Sequence, residues 1–215
     1  GGCCHDYAFQ SDALTKALSQ RTPIKWKIRH EGGTSKDFKS SAYDDPNWAK
    51  AYDVIVHNEC YAQTKGVDYI SKIVDAHKEG TPAVVIHCAM HTYRDNESDE
   101  WREFLGVTTR KHDHKSLYPV KVTETDHPIM KDFPTDWVSP LDELYIIEKL
   151  WPNAQALATG VSEKTGESHP VFWTNQYGKA RVFGTTFGHT NDTMVNPDFQ
   201  DIVSNGILWA TGQLD

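Results

Sequence analysis

The spacing of apolar residues changes period along the chain, and each change marks an element. From Asp6 to Gln20, Ala8, Phe9, Leu14, Ala17 and Leu18 recur at helical spacing, and Pro23 stops the run. Ile24, Trp26 and Ile28 then alternate with charged residues, which predicts a half-buried strand. Residues 31–46 are polar and contain glycine, as loops do. Asp53-Val54-Ile55-Val56-His57 predicts a short strand running into Asn58 and Glu59. Val67, Ile70, Ile73, Val74 and His77 predict a helix over 65–79, closed by Gly80. Ala83-Val84-Val85-Ile86-His87 is apolar on both faces, the mark of a central strand buried on two sides. A short helix over 98–105 turns Trp101, Phe104 and Leu105 inward.

Strands are then predicted at Leu117 to Thr123, Leu144 to Leu150, Ala154 to Ala158, Val171 to Asn175 and Ala180 to Thr186. Pro128, Pro134, Pro140 and Pro152 lie between them and break any helix. Pro197 to Thr211 closes the chain as a helix, with Phe199, Ile202, Val203, Ile207, Leu208 and Trp209 as its apolar face. Helices alternate with buried strands in the first half and strands dominate the second. The expected fold is therefore α/β, a doubly wound and mostly parallel sheet with an antiparallel extension, in one domain spanning residues 1–215. Such a sheet begins with a strand, so one is expected directly before Gly1.

Composition narrows the class. Hydrophobic residues make up 38% of 215, enough for one core, and the aromatic content is too high for a disordered chain. The net charge is −8, and no cluster of Lys and Arg offers a nucleic-acid face. The basic stretch Arg110, Lys111, Lys115 is interrupted by His112, Asp113 and His114 and reads as a solvated loop. No apolar run approaches the roughly 20 residues that span a bilayer, so membrane insertion is not expected. Cys3, Cys4, Cys60 and Cys88 fit neither a zinc-ribbon spacing nor a dense disulfide framework.

In doubly wound sheets, sites lie outside the carboxyl ends of the strands. His5 would follow the expected first strand; His57 and Glu59 follow the next; His87, Cys88 and His91 follow the central one; His189 follows Arg181 to Thr186. Four strand exits thus deliver imidazoles to one edge. Two chemistries suit such a cluster. Neutral imidazoles bind a divalent metal such as Zn²⁺ or Mn²⁺, with His5, His57, His91 and His189 as the ligand pool. Alternatively a histidine acts as acid or base near neutral pH, oriented by Glu59, Asp142 or Glu143. Cys88, directly after a strand, is a third candidate as a nucleophile with His189 as its base and Asp192 to orient it, although the glycines that ease a sharp elbow are absent.

Several segments together resemble the trehalose-utilisation (ThuA-like) family. They are Gly1-Gly2-Cys3-Cys4-His5-Asp6-Tyr7, Val85-Ile86-His87, Asp142-Glu143-Leu144-Tyr145, Arg181-Val182-Phe183 with Gly188-His189, and Asn205-Gly206-Ile207-Leu208-Trp209-Ala210. The resemblance implies a flavodoxin-like sheet of the class I glutamine amidotransferase type. It puts His87 where amidotransferases carry their catalytic cysteine, with Cys88 standing where the family has a small residue. It further implies action on disaccharides or glycosides as 3-keto sugars made by a partner oxidoreductase. His87, Glu59 and His189 are then the expected catalytic residues, and Asp142, Glu143, Tyr145 and Cys88 the expected sugar contacts. A non-catalytic carbohydrate-binding module and a cysteine-dependent hydrolase or amidotransferase are the alternative readings.

Overall fold

A computed structural model describes residues 1–215. The first helix, α1 (Tyr7–Arg21), starts where Asp6 accepts a hydrogen bond from Phe9 N. It buries Tyr7, Gln10, Leu14 and Leu18, while Phe9 faces solvent. Then come β1 (Ile55–His57), α2 (Val67–Lys78), β2 (Ala83–Ile86) and α3 (Glu100–Leu105). The second half holds β3 (Val107–Ser116), β4 (Val120–Val122), β5 (Asp142–Leu150), β6 (Ala154–Val161), β7 (Ser168–Tyr177) and β8 (Ala180–Thr185). The chain ends in α4 (Asn191–Val195) and α5 (Pro197–Ala210).

Six strands form one sheet in the order β1-β2-β8-β7-β6-β4. Pairing is parallel across β1, β2 and β8 and antiparallel from β8 outward to β4. The strand alternation sorts the core into two layers. Val84 and Ile86 of β2 join Leu14 and Leu18 of α1 and Ile202 and Ile207 of α5 on one face. Ala83 and Val85 join Ile70 and Ile73 of α2 and Trp101 and Phe104 of α3 on the other. This two-sided burial is why β2 reads as unbroken hydrophobic sequence. Trp209 sits at the edge of its layer, half-buried, with the Arg181 guanidinium 5.2 Å from its ring.

Two expectations are corrected. Ile24, Trp26 and Ile28 do not form a strand. Ile24 and Trp26 pack against the core, but no strand pairs with the segment, which together with Val54–Val56 lines a groove of about 650 Å³. The basic stretch 110–115 is not a loop. It belongs to β3, which pairs with β5 in a separate two-stranded ribbon and carries register shifts that break its alternation.

Candidate metal centre

The parallel half of the sheet sends three chain segments past its carboxyl rim. His5 precedes α1, His87 follows β2, and His189 follows β8. One ring nitrogen from each lies within 4.8 Å of the others, in an arrangement able to hold a metal ion. The rings meet edge to face, with centroids 4.7 to 5.3 Å apart.

Backbone carbonyls fix which nitrogens are available. His87 Nδ1 donates to Thr186 O at 2.6 Å, and His5 Nδ1 donates to His189 O at 3.2 Å. Because a carbonyl only accepts, each Nδ1 carries the proton and each Nε2 keeps a lone pair when the ring is neutral. His189 Nδ1 is buried without a hydrogen bond of good geometry, its nearest partner being Glu143 Oε2 at 3.1 Å. Burial, and then the His189 imidazole, lowers the His5 pKa to about 4. Burial, and then His5, holds His87 well below its ordinary value. Both rings are therefore neutral at pH 7, the state that ligates metals.

Local structure explains this convergence. His87 has φ +47°, a left-handed conformation that costs a residue with a Cβ about 1–2 kcal/mol. The sharp elbow expected of a catalytic residue is thus made without glycine at the bend. The glycine stands across from it. A Cβ on Gly188 would lie 2.9 Å from Ile86 Cγ2 and 3.2 Å from His87 Cβ, so its absence lets the β8 loop close over the elbow. Gln10 Nε2 donates to the carbonyls of Gly188 and His189 and ties that loop to α1.

Asp142 and Glu143 are neighbours with opposite placements. The Asp142 carboxylate is fully buried and accepts from Gly188 N, His189 N and the Thr193 hydroxyl. Burial raises its pKa to about 6 against the pull of those donors. It holds the His189 loop and has no surface left for a sugar. Glu143 instead faces the imidazoles. Its Oε2 lies 3.1 Å from His189 Nδ1, 3.5 Å from His112 Nδ1 and 3.8 Å from His87 Nε2. Burial alone would raise its pKa, but His189, His112 and His5 outweigh that and hold it below its ordinary value. Glu143 is therefore an ionised carboxylate directly beside the triad.

Other sequence candidates stand apart from the triad. His57 turns into the layer beneath α2 and α3, where Nδ1 meets Glu59 Oε1 at 2.8 Å and Nε2 meets His77 Nε2 at 3.1 Å. Glu59 is committed to that pair. His91 stacks on Tyr145, 4.1 Å between centroids and 8° between planes. Burial, with Arg94 and His112, lowers the His91 pKa to about 3. Tyr145 is buried, and its hydroxyl lies 3.3 Å from His87 Nε2, so it supports His87 and presents no open face to a sugar. Cys88 is bonded to Cys60 and has no free thiol. The sequence did not separate Asp142 as a loop anchor from Glu143 as the inward carboxylate. The one available signal was that successive strand residues point to opposite faces.

A sequence profile described as trehalose utilisation, ThuA, matches residues 9–210. The chain belongs to the ThuA family. No curated protein matched the sequence. Among solved structures, a ThuA-like protein from Parabacteroides merdae superposes with TM-score 0.76 at 21% identity, covering 100% of this chain and 88% of that one. A ThuA-like protein from Bacteroides uniformis gives 0.73 at 16%, covering 95% and 84%. A β-galactosidase from Bacillus circulans sp. alkalophilus gives 0.58 at 13%, covering 96% of this ThuA chain but 27% of the enzyme. These likenesses establish the flavodoxin-like fold. No helix of this ThuA protein is long and apolar enough to cross a membrane.

Proposed function

We propose that this ThuA protein is a metal-dependent enzyme acting on an oxidised sugar, with His5, His87 and His189 holding a divalent ion, Zn²⁺ or Mn²⁺. The reading is carried by one observation: three imidazoles from three distant segments bring ring nitrogens within 4.8 Å of one another. Carbonyl-pinned Nδ1 atoms on two of them, and Glu143 Oε2 at 3.1 Å from Nδ1 of the third, agree with a ligand set. Family membership supports a small sugar as substrate.

A 3-keto disaccharide or glycoside fits the chemistry. The ion would polarise the ketone and make the neighbouring C–H acidic. Glu143, ionised and facing the triad, takes that proton. The electron pair becomes a C=C bond, the glycosidic C–O bond on the far carbon breaks, and the departing oxygen takes up a proton. The products are an unsaturated keto sugar and a free alcohol. The half-exposed His112 lies 3.5 Å from Glu143 and is placed to return the proton.

Metal analysis of the purified protein tests the reading. About one equivalent of Zn or Mn per chain is expected, lost in His189→Ala and His87→Ala. Metal-free wild-type protein that takes up neither ion would end the proposal. Glu143→Gln should keep the metal and lose turnover of a 3-keto disaccharide by about 10²-fold or more, followed by NMR.

A further inference from the structure

The same rim carries a second constellation, made of sulfur. Cys60 and Cys88 are disulfide-bonded, with Cα atoms 5.2 Å apart. A third cysteine, Cys3, is a free buried thiol whose Sγ lies 3.7 Å from Cys60 Sγ. With Tyr7 the three form a separate buried cluster. Cys4, the remaining cysteine, is exposed directly beside Cys3. Three of the four also adjoin the triad in sequence: Cys3 and Cys4 lead into His5, and Cys88 follows His87.

The main chain holds these sulfurs together independently of the disulfide. Cys60 N donates to Gly1 O at 3.0 Å, and Cys3 N donates to Cys60 O at 3.3 Å. The Thr92 hydroxyl donates to Glu59 O and accepts from Tyr61 N, tying the Cys60 loop to the turn that carries Cys88. Opening the disulfide would leave that framework standing. A disulfide built only as a staple needs no third thiol in contact with it. A second feature accompanies it. Tyr7 packs in this cluster, and its hydroxyl is buried with no hydrogen-bond partner.

We propose that Cys3, Cys60 and Cys88 form a thiol–disulfide exchange site served by an external dithiol reductant. In the internal step the Cys3 thiolate attacks Cys60 Sγ. The Cys3–Cys60 bond forms, the Cys60–Cys88 bond breaks, and its electron pair goes to Cys88 Sγ, which takes the proton that Cys3 gave up. Nothing is oxidised or reduced overall. The disulfide has moved to Cys3, the neighbour of the exposed Cys4, and a free thiol stands next to His87. A dithiol then attacks Cys3 Sγ and releases Cys60 as a thiol. Its second thiol displaces Cys3 and leaves as a cyclic disulfide. Two electrons and two protons have passed from dithiol to protein.

The test uses the whole chain and does not depend on any metal. Under non-reducing conditions, alkylation at acid pH and peptide mapping of Cys88→Ser should find a Cys3–Cys60 disulfide in place of the native one. In wild type, dithiothreitol should open Cys60–Cys88 at a rate that falls about tenfold in Cys3→Ser. Circular dichroism checks that both variants fold. If the folded Cys88→Ser protein keeps Cys3 and Cys60 as free thiols, or if folded Cys3→Ser is reduced as fast as wild type, the exchange site does not exist. Should one variant fail to fold, the other decides.

Discussion

Asp142 concentrates the most consequence in one side chain. Three donors from the β8 loop and α4 converge on its buried carboxylate. Asp142→Asn replaces one accepting oxygen with an NH₂ group that faces donors. Unsatisfied buried donors cost about 1–3 kcal/mol, so denaturant titration should show a loss of that order. Metal affinity should fall with it, because His189 loses its anchor, although the new amide would touch neither ion nor substrate. An affinity unchanged from wild type would show that the loop holds itself. Histidines at strand exits were legible from sequence because topology alone brings strand ends to one rim. The division of labour between Asp142 and Glu143 was not legible. It depends on which face of β5 meets the β8 loop, a tertiary fact.

Packing between elements sets the rim's geometry, and α5 lies close on β8. Gly206 lies in the middle of α5, where glycine ordinarily costs about 1 kcal/mol relative to alanine. Here a Cβ would lie 2.2 Å from Phe183 Cδ1, and Phe183 is fully buried in the core layer beneath α5. Gly206→Ala should therefore destabilise the protein, by about 1–3 kcal/mol as overpacked cores do, instead of stabilising it. A raised melting temperature would show that helix and strand can move apart freely. The parallel elements were legible because two-sided burial gives β2 an uninterrupted apolar run and α2 a regular stripe. Of the β3–β5 ribbon, β5 was legible as Leu144 to Leu150, but β3 was hidden because register shifts at Thr108/Thr109, Thr109/Lys111 and His112/Lys115 break the period that sequence reading relies on. Ile24 to Ile28 misled in the opposite way. Its alternation reflects real burial of Ile24 and Trp26, but burial of side chains does not supply a backbone partner.

Across the whole molecule, the buried histidines set how stability depends on pH. Burial, with the neighbouring His57, lowers His77 to about 3, and burial lowers His91 to about 3 and His5 to about 4. In the unfolded chain these rings titrate near 6.5, a value about that of free imidazole side chains. Below that pH the unfolded state binds protons that the folded state refuses. Their contribution is complete above about pH 6.5 and is lost as pH falls toward about 4 for His5 and about 3 for His77 and His91, each ring contributing a slope of about 1.4 kcal/mol per pH unit at its steepest. Asp142 works the other way. Its folded value of about 6 exceeds the ordinary 3.8, so the folded state holds the extra proton between those values and gains stability as pH falls there. One carboxyl opposes three rings, and the rings prevail. Metal-free protein should therefore show a melting temperature that is flat from about pH 8 to 7 and falls continuously from about pH 6.5 to 4. If the rim binds the proposed ion, adding it should steepen that fall, because protons then compete with the metal for the same nitrogens. A melting temperature that holds steady or rises on acidification would mean that these imidazoles are not buried neutral, and the ligand set proposed for the rim would lose its physical basis.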